Sequence, residues 1–241
     1  VALETSMATS RSWADHAAIH RRVCDLITIA TGKPTGIKTA WATASHDPVR
    51  TLDGKAHGLS ARLVLTQEFP EPSDQRYPEF LFTFAEVGSV GVHRWIGLHD
   101  GAFHVALDAI RGTFRPNDMY VESQFGLAAL AVERVGYALG VESGAWEEGA
   151  QPPFASKALA LASVVPELDS ASWIPSLTKM YKAHKHPDHP EPDGNQMWAM
   201  LQATEALLRA WVAVRLGARS DEIARRLGGP NKVHPHGGKP S

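Results

Sequence analysis

The scarcities of this chain narrow its function first. Cys24 is the only cysteine, so one copy can form no internal disulfide, no paired-cysteine zinc site and no iron–sulfur cluster, and a reducing, cytoplasmic setting is expected. No run of 18 apolar residues occurs, and the opening Val1-Ala2-Leu3-Glu4 lacks the basic-then-apolar order of a signal peptide; no membrane partner is expected. Val1 stands first instead of Met, as expected of a trimmed chain or a piece of a longer protein. Neither sign of charge dominates: 24 Lys and Arg against 26 Asp and Glu leave a formal net charge of −2, so any nucleic-acid contact has to come from a local patch. No Walker loop, no Gly-x-Gly-x-x-Gly after a strand and no Gly-x-Ser-x-Gly elbow is present. Nucleotide hydrolysis, dinucleotide binding and serine-hydrolase chemistry therefore lack their usual cradles, and no cofactor is expected.

What is there suffices for a sizeable core, since 44% of 241 residues are hydrophobic. Between Trp13 and Thr31, Ala17, Ile19, Val23, Leu26, Ile27 and Ala30 recur at helical spacing, with Ser12 as N-cap and Gly32 past the end. His16, His20, Arg21 and Arg22 read as its solvated face, and Cys24 as a buried small hydrophobe. The runs Ile37 to Thr43, Leu59 to Thr66 and Phe80 to Phe84 are rich in β-branched or aromatic residues and predict two to four short strands; the Pro-rich Glu68 to Glu79 reads as a loop. Helical patterning resumes after Gly88, with Trp95 in the core and Gly101 and Gly112 as breaks.

A turn at Pro116-Asn117-Asp118 opens the second half. Four helices are predicted there, Val121 to Leu139 stopped by Gly140, Phe154 to Pro166, Ser172 to His186 and Asn195 to Gly217, with a short one at Asp221 to Leu227. The connectors suit antiparallel neighbours. The expected fold class is α+β, mainly α: residues 1–115 as an α+β region whose strands either pack on the following helices or are the tail of a larger domain, 116–228 as a helical bundle, and 229–241 as a flexible tail. In the last long helix Met197, Met200, Leu207, Trp211 and Val214 mark a core stripe, with Thr204 in register.

The chemistry concentrates at the end of the third bundle helix, in Lys179-Met-Tyr-Lys182-Ala-His184-Lys185-His186-Pro-Asp-His189. Pro187 forces the chain out of the helix, and cations in a last turn complement the helix dipole. Positions five apart are separated by about 140° on a straight helix, so Lys179 and His184 do not share a face and converge only across a dimer axis or through unwinding at Pro187. An alternative reading makes His184, His186, Asp188 and His189 a zinc site.

Three segments carry a resemblance. His20-Arg-Arg-Val-Cys-Asp-Leu-Ile-Thr-Ile-Ala-Thr-Gly-Lys-Pro34 ends a helix in a Gly-x-Pro turn, Glu122-Ser-Gln-Phe-Gly-Leu-Ala-Ala-Leu-Ala-Val-Glu133 places a late glutamate on the first bundle helix, and Leu177 to Asp193 bears the basic end followed by a polar loop. Together these resemble the HEPN superfamily, specifically the ApeA-like HEPN domain of antiviral defence proteins with part of the domain before it. The resemblance implies a metal-independent endoribonuclease, generally dimeric, in which the arginine and histidine of an Arg-Asn-x-x-x-His motif help the ribose 2′-hydroxyl attack the adjacent phosphate. It places Lys179 at the arginine position, Met180 at the asparagine position and His184 at the histidine position. Lysine offers a point charge without the planar fork that grips two oxygens. Glu133 would orient His184 if their helices pack together, Lys182, Lys185 and His186 would hold RNA, and no metal is implied. The alternative on the same scaffold is a catalytically inactive module for dimerisation or RNA binding.

Overall fold

The computed structural model describes residues 3–9, 11–37, 39–42, 49–50, 52–57, 61–63, 79–114, 119–186, 188–189 and 192–228. The Pro116 turn, most of the Glu68 to Glu79 loop and the tail 229–241 lie outside the described residues. Eight α-helices are described: α1 (Trp13–Thr31), α2 (Phe84–Leu98), α3 (His104–Thr113), α4 (Val121–Glu142), α5 (Phe154–Ala162), α6 (Ile174–Lys185), α7 (Gly194–Leu216) and α8 (Ser220–Arg226). Four short strands, β1 (Ala40–Ala42), β2 (Val49–Arg50), β3 (Ala56–His57) and β4 (Ala61–Leu63), form two antiparallel pairs, β1 with β4 and β2 with β3. The molecule is mainly α, a helical bundle with a small β component.

Local sequence accounts for most boundaries. Ser12 caps α1 through a capping box with Asp15, and Gly32, at φ 67°, closes it in the left-handed conformation. Asp193 accepts from the backbone N–H groups of Asn195 and Gln196 to start α7, and Gly217, at φ 110°, ends it. Pro175 sits in the first turn of α6, and His186 is its C-terminal cap.

Four boundaries differ from the sequence expectation, the first being that α5 ends at Ala162 and not at Pro166, which opens a separate 3-10 turn. Phe80 to Phe84 is not a strand. Thr83 and Glu86 form a capping box that launches α2 at Phe84, and the segment's only backbone bond to another element among those described runs from Leu81 N–H to the Ala30 carbonyl. Gly112 does not break α3 but lies inside it, against Leu127 of α4. Gly140 does not stop α4 either: the helix continues to Glu142, and the Trp146 indole fills the space a Cβ at 140 would need. Gly136, one turn earlier, is pressed against the Lys157 carbonyl of α5. Gly112 and Gly136 serve close helix approach and Gly140 seats the Trp146 indole of the following segment, which outweighs their cost of roughly 1 kcal/mol each within a helix.

α4 and α7 are the central helices. α3, α5 and α6 pack on α4, while α1, α2 and α8 pack on α7. α4 and α6 run antiparallel, since Glu133 faces Tyr181 while Gly126 faces His184. α4 and α7 instead bring their C-terminal ends together through Glu142 and Arg215. One buried apolar cluster runs from Leu26 to Ala224 and includes residues on both sides of position 116. Trp95, Trp173, Trp211 and Phe125 are fully buried in it, so Trp95 and Trp211 lie where their spacing placed them. On α1, Val23 and Ile27 leave that core and line an apolar pocket of about 390 Å³ with Phe80, Phe84, Val87 and Val92.

Candidate nucleic-acid interface

α6 forms because Leu177 and Met180 repeat an apolar face after Pro175, and that face is buried on the bundle. The remaining positions are polar by default. Lys179, Lys182, His184, Lys185 and His186 are all exposed, and Lys182, His184 and Lys185 occupy the last turn, where the helix dipole favours positive charge. None of the three lysines makes an ion pair with a carboxylate among the described residues. Lys185 Nζ lies 3.5 Å from Tyr181 Oη and 5.5 Å from its ring centre.

α4 and α6 do pack together, but Glu133 does not reach His184. The Glu133 carboxylate accepts from Lys157 Nζ at 2.7 Å and from Tyr181 Oη at 3.1 Å. Burial by itself would raise this carboxyl, and the Lys157 bond and charge, with the Tyr181 hydroxyl and the Lys185 charge, more than offset it and leave Glu133 below the ordinary range. The same arrangement raises Tyr181, first through burial and then through the neighbouring Glu133 charge. Tyr181 also stacks on Phe154, with ring centres 4.2 Å apart. His184 sits about two turns nearer the start of α4. A Cβ on Gly126 would lie 2.9 Å from His184 Nε2, and the imidazole stands edge-on to Phe125 at 6.0 Å.

Lys179 and His184 stand five positions apart on α6, about 140° around the helix, and both are exposed. Among the described residues no group of three or more His, Cys, Asp or Glu gathers for a metal. His186 and His189 come within 6.2 Å of each other as tilted rings, and His184 is turned to α4 instead. The zinc reading of the segment thus finds no convergent ligand set among those residues.

Lys157, Tyr181 and Gly126 shape this surface without having been singled out by the sequence. Each carried a signal. Lys157 is the lone charge in the apolar helix Phe154-Ala-Ser-Lys-Ala-Leu-Ala-Leu-Ala, where a half-buried cation needs a partner. Tyr181 stands four before Lys185, on one face. Gly126 interrupts a good helix, which implies close packing. A second missed pair lies on α7: Arg209 donates from Nε to the Ile29 carbonyl at 2.7 Å and from Nη2 to the Ala30 carbonyl at 3.1 Å, capping α1. Glu205, one turn before it, is pushed up to about 7 by burial, against the opposing Arg209 charge.

Comparison with models of protein families, with curated proteins and with solved structures finds no match for this chain.

Proposed function

We propose that this protein is a HEPN-like helical module that binds single-stranded RNA through the C-terminal turns of α6. The observation that carries the reading is a run of exposed cations, Lys179, Lys182 and Lys185, none of which forms an ion pair with a carboxylate among the described residues, although the Lys185 charge also acts on Glu133 across Tyr181. Unpaired lysines on one helix end attract a phosphate backbone and release its counterions. Tyr181 and Phe154, half-buried and stacked beside Lys185, add the aromatic surface that single strands favour over duplexes. Binding is preferred to catalysis because Glu133, the residue that would orient His184, is occupied by Lys157 and Tyr181, and because residues five apart on a helix, as Lys179 and His184 are on α6, are separated by about 140°. RNA as ligand in turn suits a cytoplasmic protein, and the resemblance to the ApeA-type domain suits a role in antiviral defence.

The second reading is the metal-independent endoribonuclease, favoured by one fact: the His184 imidazole and the Lys179 ammonium are both exposed. In that reaction the 2′-hydroxyl, losing its proton to a base, attacks the adjacent phosphorus. The bond to the 5′-oxygen breaks, that oxygen takes up a proton, and a 2′,3′-cyclic phosphate remains. A second copy of the chain would have to supply Lys179 opposite His184, so this reading requires a homodimer.

Single-stranded RNA binding measured by fluorescence anisotropy at low salt, alongside a cleavage assay in EDTA, separates the two. The binding module predicts RNA affinity that falls with salt and drops in Lys182→Ala and Lys185→Ala, with no cleavage by wild type, Lys179→Arg or His184→Ala. The enzyme predicts cleavage that His184→Ala abolishes and that Lys179→Arg raises, since the guanidinium fork adds a hydrogen bond worth roughly 1.5 to 3 kcal/mol. Failure of the protein to bind RNA at low salt would remove both.

A further inference from the structure

α1 carries a cluster of donor atoms that the α6 surface does not use. His16 and His20 lie one turn apart on the same helix face. His16 Nδ1 is 2.8 Å and His20 Nε2 is 3.0 Å from one atom, Thr5 Oγ1, in the segment that precedes the helix. A hydroxyl has one proton to give, so it can donate to only one of the two rings and must accept N–H from the other. One imidazole would be enough to pin Thr5. Here two converge on a single point, and Trp13 stands edge-on to His20 at 5.9 Å, bracing that ring. All three polar residues are half-buried, placed yet reachable from solvent.

We propose that His16 and His20, with the Thr5 hydroxyl and water, form a binding site for a divalent transition metal that prefers imidazole, Zn²⁺ or Cu²⁺, which clamps the segment before α1 onto the helix. Imidazole nitrogen is a favoured ligand for both ions, and two histidines at i and i+4 present their rings to one side of a helix. Zinc–nitrogen bonds measure about 2.0 to 2.1 Å, so a cation at the point Thr5 Oγ1 now holds asks each ring to advance by roughly 0.7 to 1 Å and the Thr5 oxygen to withdraw by about 2 Å, a movement of the segment before α1. The Thr5 oxygen then turns from hydrogen-bond partner to weak ligand. No third His, Cys, Asp or Glu joins the pair among the described residues. Water therefore completes the coordination, which makes the site open and exchangeable in contrast to a closed structural zinc site.

Calorimetric titration of the full chain with zinc chloride, repeated on His16→Ala, His20→Ala, Thr5→Ala and a His184→Ala/His186→Ala control, tests the assignment. The tightest site should weaken at least about tenfold in either α1 histidine variant, weaken by less than that in Thr5→Ala, and persist in the control. Circular dichroism of the variants shows whether α1 remains helical. Electron paramagnetic resonance with Cu²⁺ should show two imidazole nitrogens in wild type and one in His16→Ala. Wild-type zinc affinity and stoichiometry in a folded His16→Ala or His20→Ala protein would overturn the proposal, as would loss of the tightest site in the His184→Ala/His186→Ala control alone.

Discussion

α6, and the short α8 together with its N-cap Arg219, each present three long cations, and their surroundings differ completely. At α8, Arg219 pairs with Asp221, Arg225 with Glu222, and Arg226 with both Glu222 and Glu86. Lys179, Lys182 and Lys185 of α6 have no such partner among the described residues. The reason is local: no Asp or Glu occurs between Asp169 and Asp188, whereas Asp221 and Glu222 open α8. A count of cations in a window is thus a poor guide to charge available for a ligand. Carboxylates within one turn, as at Asp221 and Glu222, and carboxylates brought in from other helices, as Glu86 is to Arg226, together decide whether the charge is spent inside the protein or offered to solvent.

The comparison rests on one framework beneath both surfaces, and the largest expected effect tests it. Trp211→Ala removes a fully buried indole from α7, which packs against both α4 and α8, and should cost about 3 to 5 kcal/mol, read as a lowered Tm. An unchanged Tm would mean that α7 does not organise the bundle.

Charge removal then separates the two helices. Replacing Lys179, Lys182 and Lys185 together by Ala should weaken single-stranded RNA binding by about tenfold to hundredfold and reduce the salt slope by roughly 2, at about 0.7 per phosphate contact. Arg219→Ala and Arg225→Ala should leave binding unchanged. Equal losses at both helices would dissolve the distinction drawn between paired and free cations.

Arg226 gives the stability side of the contrast. Its guanidinium donates to both Glu86 carboxylate oxygens, at 3.0 and 2.7 Å, and to the Leu81 carbonyl at 2.8 Å, tying α8 to the start of α2. This bond, with the Thr83 bonds that oppose desolvation, holds Glu86 at about 2, against 4.5 for the free side chain. A carboxyl lowered on folding stabilises the native state above its unfolded value and loses that contribution as pH falls toward its folded value. Arg226→Ala should therefore cost about 1 to 2 kcal/mol at pH 7, after allowing for solvent screening. The gap to wild type should close between pH 4.5 and about 2, as followed by urea unfolding across pH.

The smallest effect has the opposite sign. Glu205 is raised to about 7 by burial, so the folded chain holds a proton that the unfolded chain releases, and stability falls as pH rises from about 4.5 to 7. Glu205→Gln should add about 1 kcal/mol at pH 8 and nearly nothing at pH 4. Arg209 keeps its bonds to the α1 carbonyls in that variant, so a loss of stability at pH 8 would show that Glu205 is held as the anion for Arg209.

Seen element by element, α1, α6 and α7 were readable to within one or two residues because their caps and periodicity agree: Ser12 and Gly32, Pro175 and His186, Asp193 and Gly217. Phe80 to Phe84 misled because a short aromatic run has no periodicity of its own, and the Thr83 and Glu86 cap outweighed its strand propensity. At the α6 surface the sequence pointed to the basic cluster. It could not show that Glu133 would turn to Lys157, which sits 24 residues away on another helix.

By itself the chain determined its class and its exposed charge. One cysteine, helical periodicity and an α6 devoid of acids follow from residue order alone, because each depends on neighbours within a few positions. Only the tertiary structure decided which carboxylate meets which cation and which glycine marks a crossing rather than an end. It likewise decided that Thr5 should stand between His16 and His20. Such pairings join positions remote in sequence, and they are selected by the packing of the whole core around α4 and α7, which no local pattern encodes.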